Sequence, residues 1–481
     1  MGLLIDRSDF REDEYVRAGE RLRENLQAMQ ALLARPDFGQ GACSLGAELE
    51  MSMVDADAQA LPLNRQVLAE SLDPNLQLEL DRFNLEYNLS PVPAAGRPFG
   101  TMQAELEKAL AALRDSAAHH GGRIIPVGIL PTLQLEQLQR GWMTNIPRYH
   151  ALQSGIRRIR KGQDFRIRID GDEPLDVECD SVTMEGANTS FQVHFRINPQ
   201  DFTAYYNAAQ LMTPLGLAVA ANSPFLLGHS LWDETRIALF KQAVDTRGAT
   251  SHEWRRAARV PFGHGWVRQG AYELFAESCH LYPIIIPICS EEDIGDVVAS
   301  GGIPELLELR LHQGTIWNWN RPVYDAGAGG HLRIEFRALP SGPTPLDLMA
   351  GAAYLVGLTV GMSHRIEALL PAFPFRYAEY NFYRAAQQSL NAELLWPTLD
   401  VMSPATRTAR DLCLEMLPLA DEGLDEIGVD AEERNSLLGV IRDRLQSGTN
   451  GAAWQRRTLE RVDKGSRPEA LAELVEACLL Y

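Results

Sequence analysis

Four segments of the sequence carry polar side chains at alternate positions, where a half-buried strand would favour apolar ones. The residues are Glu48 and Glu50, Glu86, Gln192 and His194, and Glu335 and Arg337. On a strand, residues i and i+2 lie on one face, about 7 Å apart. That spacing suits neighbouring metal ions that share a phosphate group.

The types of these side chains favour a hard divalent cation. Carboxylate oxygens are ligands for Mg²⁺ or Mn²⁺, whereas zinc favours clusters of cysteine and histidine. The oxygen atoms of nucleotide phosphates would complete the coordination. We therefore expect a nucleotide and Mg²⁺, or Mn²⁺ in its place, as the cofactors.

Taken alone, each of these residues has a plain structural interpretation. A Glu-x-Glu sequence on an alternating strand is most often the solvated face of a sheet. Glu335 and Arg337 could form an ion pair between neighbouring strands, and His194 could be a hydrogen-bonded core histidine. Their joint occurrence, on segments that can neighbour one another in one sheet, favours a functional site.

Helical and strand-like periods alternate along the part of the chain that must position these residues. Predicted strands or hairpins cover 43–54, 76–89, 191–197 and 331–339, and predicted helices cover 12–35, 101–119, 201–221, capped by Asp201, and 344–364. Beyond residue 396 the stretches 405–419, 431–445 and 459–480 are helical in period. We therefore predict an α+β fold with a large, mainly antiparallel sheet covered by helices on one side.

The same patterns predict three regions. Residues 1–39 contain an amphipathic helix packed on the body, residues 40–395 form the domain of the sheet, and residues 396–481 form a C-terminal helical region. The most apolar run, 348–362, is interrupted by glycines and is shorter than the roughly 20 residues of a membrane span. It is predicted to be a buried helix.

Composition excludes some classes of partner. The 481 residues have a formal net charge of -19, which repels nucleic-acid phosphate and anionic lipid. We expect neither nucleic acid nor membrane as a partner, and the oligomeric state is left open. The six cysteines are scattered without a CxxC pair, and the N-terminus lacks a basic leader followed by a long apolar stretch. A cytoplasmic protein with reduced thiols is expected.

Five motifs, in this order, carry a resemblance to a known family: GAELE at 46–50, NLEYNLSP at 84–91, FQVHF at 191–195, AANSPF at 220–225 and RIEFR at 333–337. Together they resemble the second glutamate–cysteine ligase family, which includes the plant-type enzymes and bacterial carboxylate–amine ligases. The likeness covers roughly residues 40–365. The run 221–225, with Arg236 downstream, is its most specific part.

The resemblance implies a glutamine-synthetase-like catalytic domain, with metal ions and the ATP phosphates on one face of its sheet. It implies that Glu48, Glu50, Glu86 and Glu335 bind Mg²⁺, that His194 touches metal or phosphate, and that Arg337 stabilises the transferring phosphoryl group. It also makes Arg236 a candidate catalytic residue, near the substrate or the phosphates. Gln192 stands where the bacterial pattern has the first histidine of His-x-His, and its neutral amide makes it a weaker candidate for contact with the cofactors. Either Glu79 or Asp81 could supply a further carboxylate.

The activity implied is ATP-dependent ligation of a carboxylate to an amine, most directly glutamate to cysteine, a step of glutathione biosynthesis. A carboxylate is a poor electrophile, and transfer of the γ-phosphoryl group to it gives an acyl phosphate that an amine can attack. Three alternatives stay open: a ligase for another carboxylate or amine, a nucleotide-binding regulatory module with reduced catalysis, and a metal-dependent amide hydrolase. The base that deprotonates the amine is not identified by the sequence.

Overall fold

The computed structural model describes residues 5–248, 256–397, 404–462 and 465–480. The strands are β1 (Ser44–Val54), β2 (Leu76–Leu78), β3 (Asn84–Asn88), β4 (Val92–Pro93), β5 (Arg123–Ile125), β6 (Phe165–Ile169), β7 (Leu175–Cys179), β8 (Phe191–Ile197), β9 (Phe225–Leu226), β10 (His229–Ser230), β11 (Asn320–Asp325), β12 (His331–Phe336), β13 (Glu393–Trp396) and β14 (Ala405–Thr408). The helices of the first half are α1 (Glu12–Leu33), α2 (Asn64–Glu70), α3 (Pro98–His119), α4 (Pro147–Ile159), α5 (Thr183–Gly186), α6 (Phe202–Ala220) and α7 (Thr235–Ala243). Those of the second half are α8 (Ala271–Leu281), α9 (Ile294–Ala299), α10 (Leu307–Gln313), α11 (Pro345–Ser363), α12 (Ile366–Leu369), α13 (Phe375–Gln388), α14 (Ala409–Glu415), α15 (Leu417–Glu426), α16 (Ala431–Ser447), α17 (Gly451–Val462) and α18 (Arg467–Leu479).

The central sheet has the strand order β11-β12-β8-β1-β3-β2, and each of these strands is antiparallel to its neighbours. Its register places Glu50 opposite Glu86 and Gly46 opposite His194. On the other side of β8, His194 lies opposite Glu335. Because side chains alternate between the two faces of a strand, the polar residues of all four segments share one face.

The opposite face of the sheet is apolar and faces two helices. Leu49, Val193 and Ile334 are buried there in the same cluster as residues of α6 and α11. Helix α11 contacts β8, and α6 contacts β11. Both helices are apolar around most of their circumference, as expected for helices enclosed by protein on every side. By length and hydropathy α11 could cross a membrane, but 89% of its apolar window is buried inside the protein, so it is a core helix.

The C-terminal helices pack against the same core. Helix α15 approaches α11 so closely that a Cβ atom on Gly423 would lie 2.1 Å from the carbonyl oxygen of Gly357. Glycine is required wherever two backbones come this close. At the other end of the chain, α1 packs on α8, α9 and α10. The division of the chain at residues 39 and 395 stays a prediction, and residues 1–4, 398–403, 463–464 and 481 of its outer regions lie outside the described residues.

Most of the predicted elements are confirmed, as is the α+β fold class with its large antiparallel sheet. The prediction for 76–89 resolves into a hairpin of β2 and β3. Two expectations are wrong. Residues 405–408 form β14, paired with β13, because the helix begins only after Thr408, whose hydroxyl caps α14 by accepting a hydrogen bond from Asp411 N. Asp201 stands at the start of α6, but its side chain makes no capping hydrogen bond.

The predicted helix 459–480 is divided between two helices. Its first residues belong to the end of α17, and α18 begins only at Arg467, after Ser466 at the cap position. Residues 463 and 464, which the prediction included, lie outside the described residues.

Candidate functional site

The polar face of the sheet brings the predicted residues of β1, β3, β8 and β12 together. Glu335, His194 and Glu48 form one group, on three adjacent strands. His194 Nε2 lies 3.0 Å from Glu48 Oε1, and His194 is opposite Glu335 in the ladder. The side chain of Glu335 is completely buried, so its charge requires partners.

Two arginines supply those partners. Arg321, opposite Glu335 on β11, donates from Nε to Glu335 Oε2 over 2.8 Å. Arg337, two residues further along the chain, donates from Nη1 to Glu335 Oε1. Burial acts to raise the pKa of Glu335, but the charges of Arg321 and Arg337 outweigh it and hold the pKa below the usual range. Glu48 behaves similarly, because the charge of His194 outweighs burial and lowers the pKa to about 2.

A second group is made of carboxylates from β1, β3 and the end of β2. One oxygen each of Glu50, Glu79 and Glu86 lie within 4.8 Å of one another. Glu50 accepts hydrogen bonds from Ser190 N at 2.7 Å and from the side-chain amide of Gln192 at 2.8 Å. These bonds hold the carboxylate of Glu50 in place without adding a positive charge.

The pKa values of this group shift in the opposite direction to those of the first group. Burial raises the pKa of Glu86 to about 7, and the charges of Glu48 and Glu50 add to that effect. Burial and the charge of Glu86 raise the pKa of Glu79 well above its usual range. Carboxylates this close, without a cation among them, hold protons. A divalent cation would replace those protons.

The donor set fits Mg²⁺ by both chemistry and dimensions. Mg²⁺ binds oxygen atoms at about 2.1 Å, so its ligands lie up to roughly 4 Å apart. Small side-chain adjustments would bring the oxygens of Glu50, Glu79 and Glu86 to that spacing. The first group offers oxygen and imidazole ligands beside it, which matches two neighbouring ions on one face of a sheet.

The geometry favours Glu79 over Asp81 as the further carboxylate of the site. Glu79 belongs to the three-carboxylate group, whereas Asp81 is fully buried and lies against Gly186. Neither carboxylate oxygen of Asp81 has a hydrogen-bond partner. Burial and the charge of Glu185 raise its pKa well above the usual range, which favours the protonated form of Asp81.

Gln192 connects the two groups. Its side-chain oxygen accepts a hydrogen bond from Arg337, and its side-chain nitrogen donates to Glu50. Both ends of the amide are therefore used within the protein, and these contacts give Gln192 a positioning role. Its predicted contact with the cofactors stays a prediction.

Arg236 lies deeper than the other predicted residues. It is 1% exposed, its Nε donates to Glu234 over 2.6 Å, and its Nη2 donates to the carbonyl oxygen of Ala338 over 2.6 Å. Glu234 in turn accepts hydrogen bonds from Asn222 N and from the Ser223 hydroxyl. The 221–225 motif and Arg236 thus form one buried network, and the catalytic role predicted for Arg236 stays a prediction.

Two residues of the site were not among those predicted from the sequence. Arg321 could have been found from the alternation of 320–325, which pairs with β12 as a hairpin. Glu185 lies on α5, just before β8, and its charge interacts with Glu50 and Arg337. Nothing in the periodicity around Glu185 distinguishes it, because a one-turn helix has neither a strand period nor a repeated helical face.

The comparison with solved structures finds similar chains at low sequence identity. A glutamate–cysteine ligase from Francisella tularensis, in complex with AMP, matches over 92% of this chain and 89% of its own, with a TM-score of 0.53 and 11% identity. A bifunctional glutathione synthetase from Pasteurella multocida matches over 96% of this chain and 54% of its own, with a TM-score of 0.45 and 11% identity. A glutamine synthase homologue matches over 95% and 74%, with a TM-score of 0.31 and 11% identity. No curated protein matches the sequence.

The chain shares its overall fold with the glutamate–cysteine ligase from Francisella tularensis. Residues 44–477 match the glutamate-cysteine ligase family 2. The chain belongs to that family, and the resemblance found in its motifs is confirmed.

Proposed function

We propose that the protein joins a carboxylate to an amine through an acyl phosphate, with Mg²⁺ and ATP, and that glutamate and cysteine are its substrates. The observation that carries the proposal is the pair of ligand groups on one sheet face. Glu50, Glu79 and Glu86 form one group, and Glu48, His194 and Glu335 form the other. Arg337 stands between them, bound to Glu335 and to Gln192.

Each group has a distinct task in phosphoryl transfer. Bound Mg²⁺ would neutralise charge on the ATP oxygens as the γ-phosphoryl group moves. Arg337, held in place by Glu335 and Gln192, is positioned to stabilise the equatorial oxygens of the group in transit. Arg321 shares the neutralisation of Glu335, so that Arg337 can turn one of its donors towards the phosphate while Glu335 keeps a cationic partner.

The cysteines and the net charge of the chain support its proposed location and partners. The six cysteines are free thiols, which agrees with a cytoplasmic enzyme. The formal net charge of -19 argues against nucleic acid and anionic membranes as partners. The substrates are small molecules.

Product analysis tests the proposal. With ATP, Mg²⁺, glutamate and cysteine, the protein should release ADP and phosphate, and omission of the amine should lower the rate strongly. Release of AMP and pyrophosphate would mean adenylation and would overturn the acyl-phosphate mechanism. Replacing cysteine by other amino acids in the same assay identifies a ligase with another amine. Tight ATP binding without turnover for any amino acid would favour the regulatory module, and ATP-independent amide cleavage would favour the hydrolase.

A further inference from the structure

The first turn of α17 lies against Asn222, in the 221–225 motif. A Cβ atom on Gly451, the first residue of α17, would lie 2.2 Å from Asn222 Oδ1, so a larger residue would displace Asn222. The backbone amide of Ala452 donates to Ala221 O over 2.8 Å. This bond satisfies one of the amides that the start of a helix leaves without a partner. The C-terminal region is therefore in direct contact with the motif.

Gln455, one turn further along α17, binds Asn222 with its side chain. Its Nε2 atom donates to Asn222 O over 3.0 Å and to Asn222 Oδ1 over 2.8 Å. The orientation of both amides follows from their partners. Asn222 Nδ2 donates to Ser341 O over 2.8 Å, and a carbonyl oxygen can only accept, so Asn222 presents its own oxygen to Gln455. Position 455 must therefore supply a donor.

Ser341 extends this set of contacts to Glu50, a residue of the three-carboxylate group. The Ser341 hydroxyl donates to Glu50 O over 2.7 Å. The register between β1 and β8 ends at Leu49 and Phe191, so the hydroxyl takes the place of a further backbone donor from β8. On the same side of β1, Glu50 N donates to Ser190 O over 3.0 Å. Both backbone groups of Glu50 are thus held, and the bond from Ser341 connects Glu50 to α17.

The three residues between α17 and Glu50 are enclosed by protein. Gln455, Asn222 and Ser341 are each at most 2% exposed, so water competes little with their hydrogen bonds. Loss of the donor at position 455 would leave two buried oxygens of Asn222 unpaired, which is more costly than loss of a bond at the surface. A shift of Asn222 that relieves this cost would move Ser341, and with it the backbone of Glu50.

We propose that Gln455 is a positioning residue for catalysis, which fixes the backbone of Glu50 through Asn222 and Ser341. The inference rests on the proposed ligase function and deepens it, because it makes α17 a part of the catalytic unit. Gln455 itself contacts neither the metal ion nor a substrate. Its contribution is to hold the Glu50 carboxylate where the other two carboxylates of the group complete the Mg²⁺ site.

Titration of Mg²⁺ by calorimetry tests the proposal without depending on turnover. Gln455→Met keeps a helix-forming side chain of similar length but removes the donor. Ser341→Ala removes the bond to Glu50 without changing α17. Each variant should weaken Mg²⁺ binding by about tenfold, the lower end for residues that hold a metal ligand in place. The kcat of ADP release should fall by a similar factor, while KM for the amino acids should stay within about twofold of wild type.

Two control substitutions separate positioning from support of the fold. Leu459, also on α17, is buried in a cluster with Phe225, so Leu459→Ala should lower Tm but leave Mg²⁺ affinity within about twofold of wild type. The exposed Gln446, on α16, takes the same change as Gln455. Gln446→Met should match the wild type in Tm and in Mg²⁺ affinity.

The double variant of Gln455→Met with Ser341→Ala shows whether the two residues act through one set of contacts. If they do, the double variant should bind Mg²⁺ at most about twofold more weakly than the weaker of the single variants. Independent effects would instead multiply to roughly 100-fold. That result would overturn the proposal.

Two further results would overturn it. The first is a lowered Tm in Gln455→Met without a change in Mg²⁺ affinity, or an equal loss of Mg²⁺ affinity in Leu459→Ala, since either would make Gln455 a support of the fold alone. The second is unchanged Mg²⁺ affinity in Ser341→Ala, which breaks the last contact even where Gln455→Met does not fold.

The same measurements distinguish this proposal from the ligase proposal. A wild type that binds Mg²⁺ but releases no ADP with any amino acid would refute the ligase. A loss of Mg²⁺ affinity in Gln455→Met and Ser341→Ala would still support the positioning of Glu50. An active wild type, with both variants unchanged in Mg²⁺ affinity and kcat, would retain the ligase and refute the positioning role.

Discussion

The imidazole of His194 lies 3.0 Å from the carboxylate of Glu48, on the adjacent strand, while Glu335 stands opposite His194 on the other side. The pair is partly exposed, with 10% of the His194 side chain and 17% of the Glu48 side chain accessible. A metal ion could therefore reach both from the open side of the sheet. The buried Glu335 would be its third protein ligand, and this arrangement leads to the first prediction.

Glu335→Gln should lower turnover and raise the Mg²⁺ concentration needed for half-maximal activity. The substitution keeps the shape of the side chain but removes one negative charge from the metal site, so part of the activity should return at high Mg²⁺. Metal titrations of the initial rate check this. An unchanged Mg²⁺ requirement together with a folded protein would contradict the assignment of Glu335 as a ligand.

Arg337→Lys should affect catalysis in a different way from Glu335→Gln. Lysine keeps the charge but loses the planar guanidinium, in which Nη1 alone donates to both Glu335 and Gln192, so no further donors are directed at the phosphoryl group. We expect kcat to fall by roughly 100-fold or more with little change in ATP binding. Steady-state kinetics and ATP titration measure the two effects. Near-wild-type kinetics would refute the role, and unfolding would make Arg337 a structural partner of Glu335.

Glu79→Gln and Asp81→Asn should show which of the two carboxylates binds Mg²⁺, a choice that the sequence left open. Glu79→Gln removes a ligand from the three-carboxylate group and should weaken Mg²⁺ binding by about tenfold or more. Asp81→Asn replaces a neutral buried carboxyl with a neutral amide of similar shape, so Mg²⁺ binding should stay within about twofold of wild type. Metal titration by calorimetry compares them. A larger loss in Asp81→Asn would reverse the assignment.

Local patterns predicted which face each site residue occupies, because the alternation of a strand is a property of consecutive residues. The i, i+2 pairs on β1 and β8 and at the end of β12 follow directly from it. Which strands become neighbours depends on contacts far apart in sequence, so the pairing of His194 with Glu48 came only with the structure. Periodicity alone could not relate the motifs to one another. The resemblance to a known family did so through their order.

The remaining site residues lie where periodicity ends. Asp81 and Glu79 stand near the turn between β2 and β3, where alternation gives no preference between them. Glu185 reaches the site from a single helical turn, through packing that only the tertiary fold determines. The strand Ala405–Thr408 looked helical because its apolar and polar residues continue into α14, and its pairing with β13 overrides that local tendency.

The metal-free protein should lose stability as pH rises from about 5 to 8. Burial and neighbouring carboxylates raise the pKa of Glu86 from its ordinary value of 4.5 to about 7. The folded protein therefore holds more protons than the unfolded chain between these values, and the free energy of unfolding falls across that window. Glu48 and Glu335 have lowered pKa values. Their contribution to the free energy of unfolding is therefore nearly complete above pH 5 and changes little at higher pH.

Melting curves at several pH values check this expectation, with a drop in Tm of about 2 °C or more between pH 5 and 8. Added Mg²⁺ should reduce the drop, because the ion replaces the protons and binds more tightly as pH rises. Glu86→Gln is the matched control, since it removes one of the titrating groups and should reduce the pH dependence. A Tm that rises with pH in the metal-free wild type would contradict the raised pKa values of the three-carboxylate group.

Arg236 supplies the last prediction, because its contacts favour a structural role over the catalytic one that its motif implies. Its guanidinium neutralises the fully buried Glu234, which also holds Asn222 and Ser223. Arg236→Leu should lower the free energy of unfolding by about 3–5 kcal/mol, since it leaves a buried carboxylate without its cation. The double variant Arg236→Leu with Glu234→Gln removes both charges and should recover part of that loss.

Denaturant unfolding measures stability, and the rate per folded molecule measures catalysis. Full stability with a turnover loss of roughly 100-fold in Arg236→Leu would restore the catalytic role, whereas instability relieved by Glu234→Gln identifies the pair as the support of the 221–225 motif.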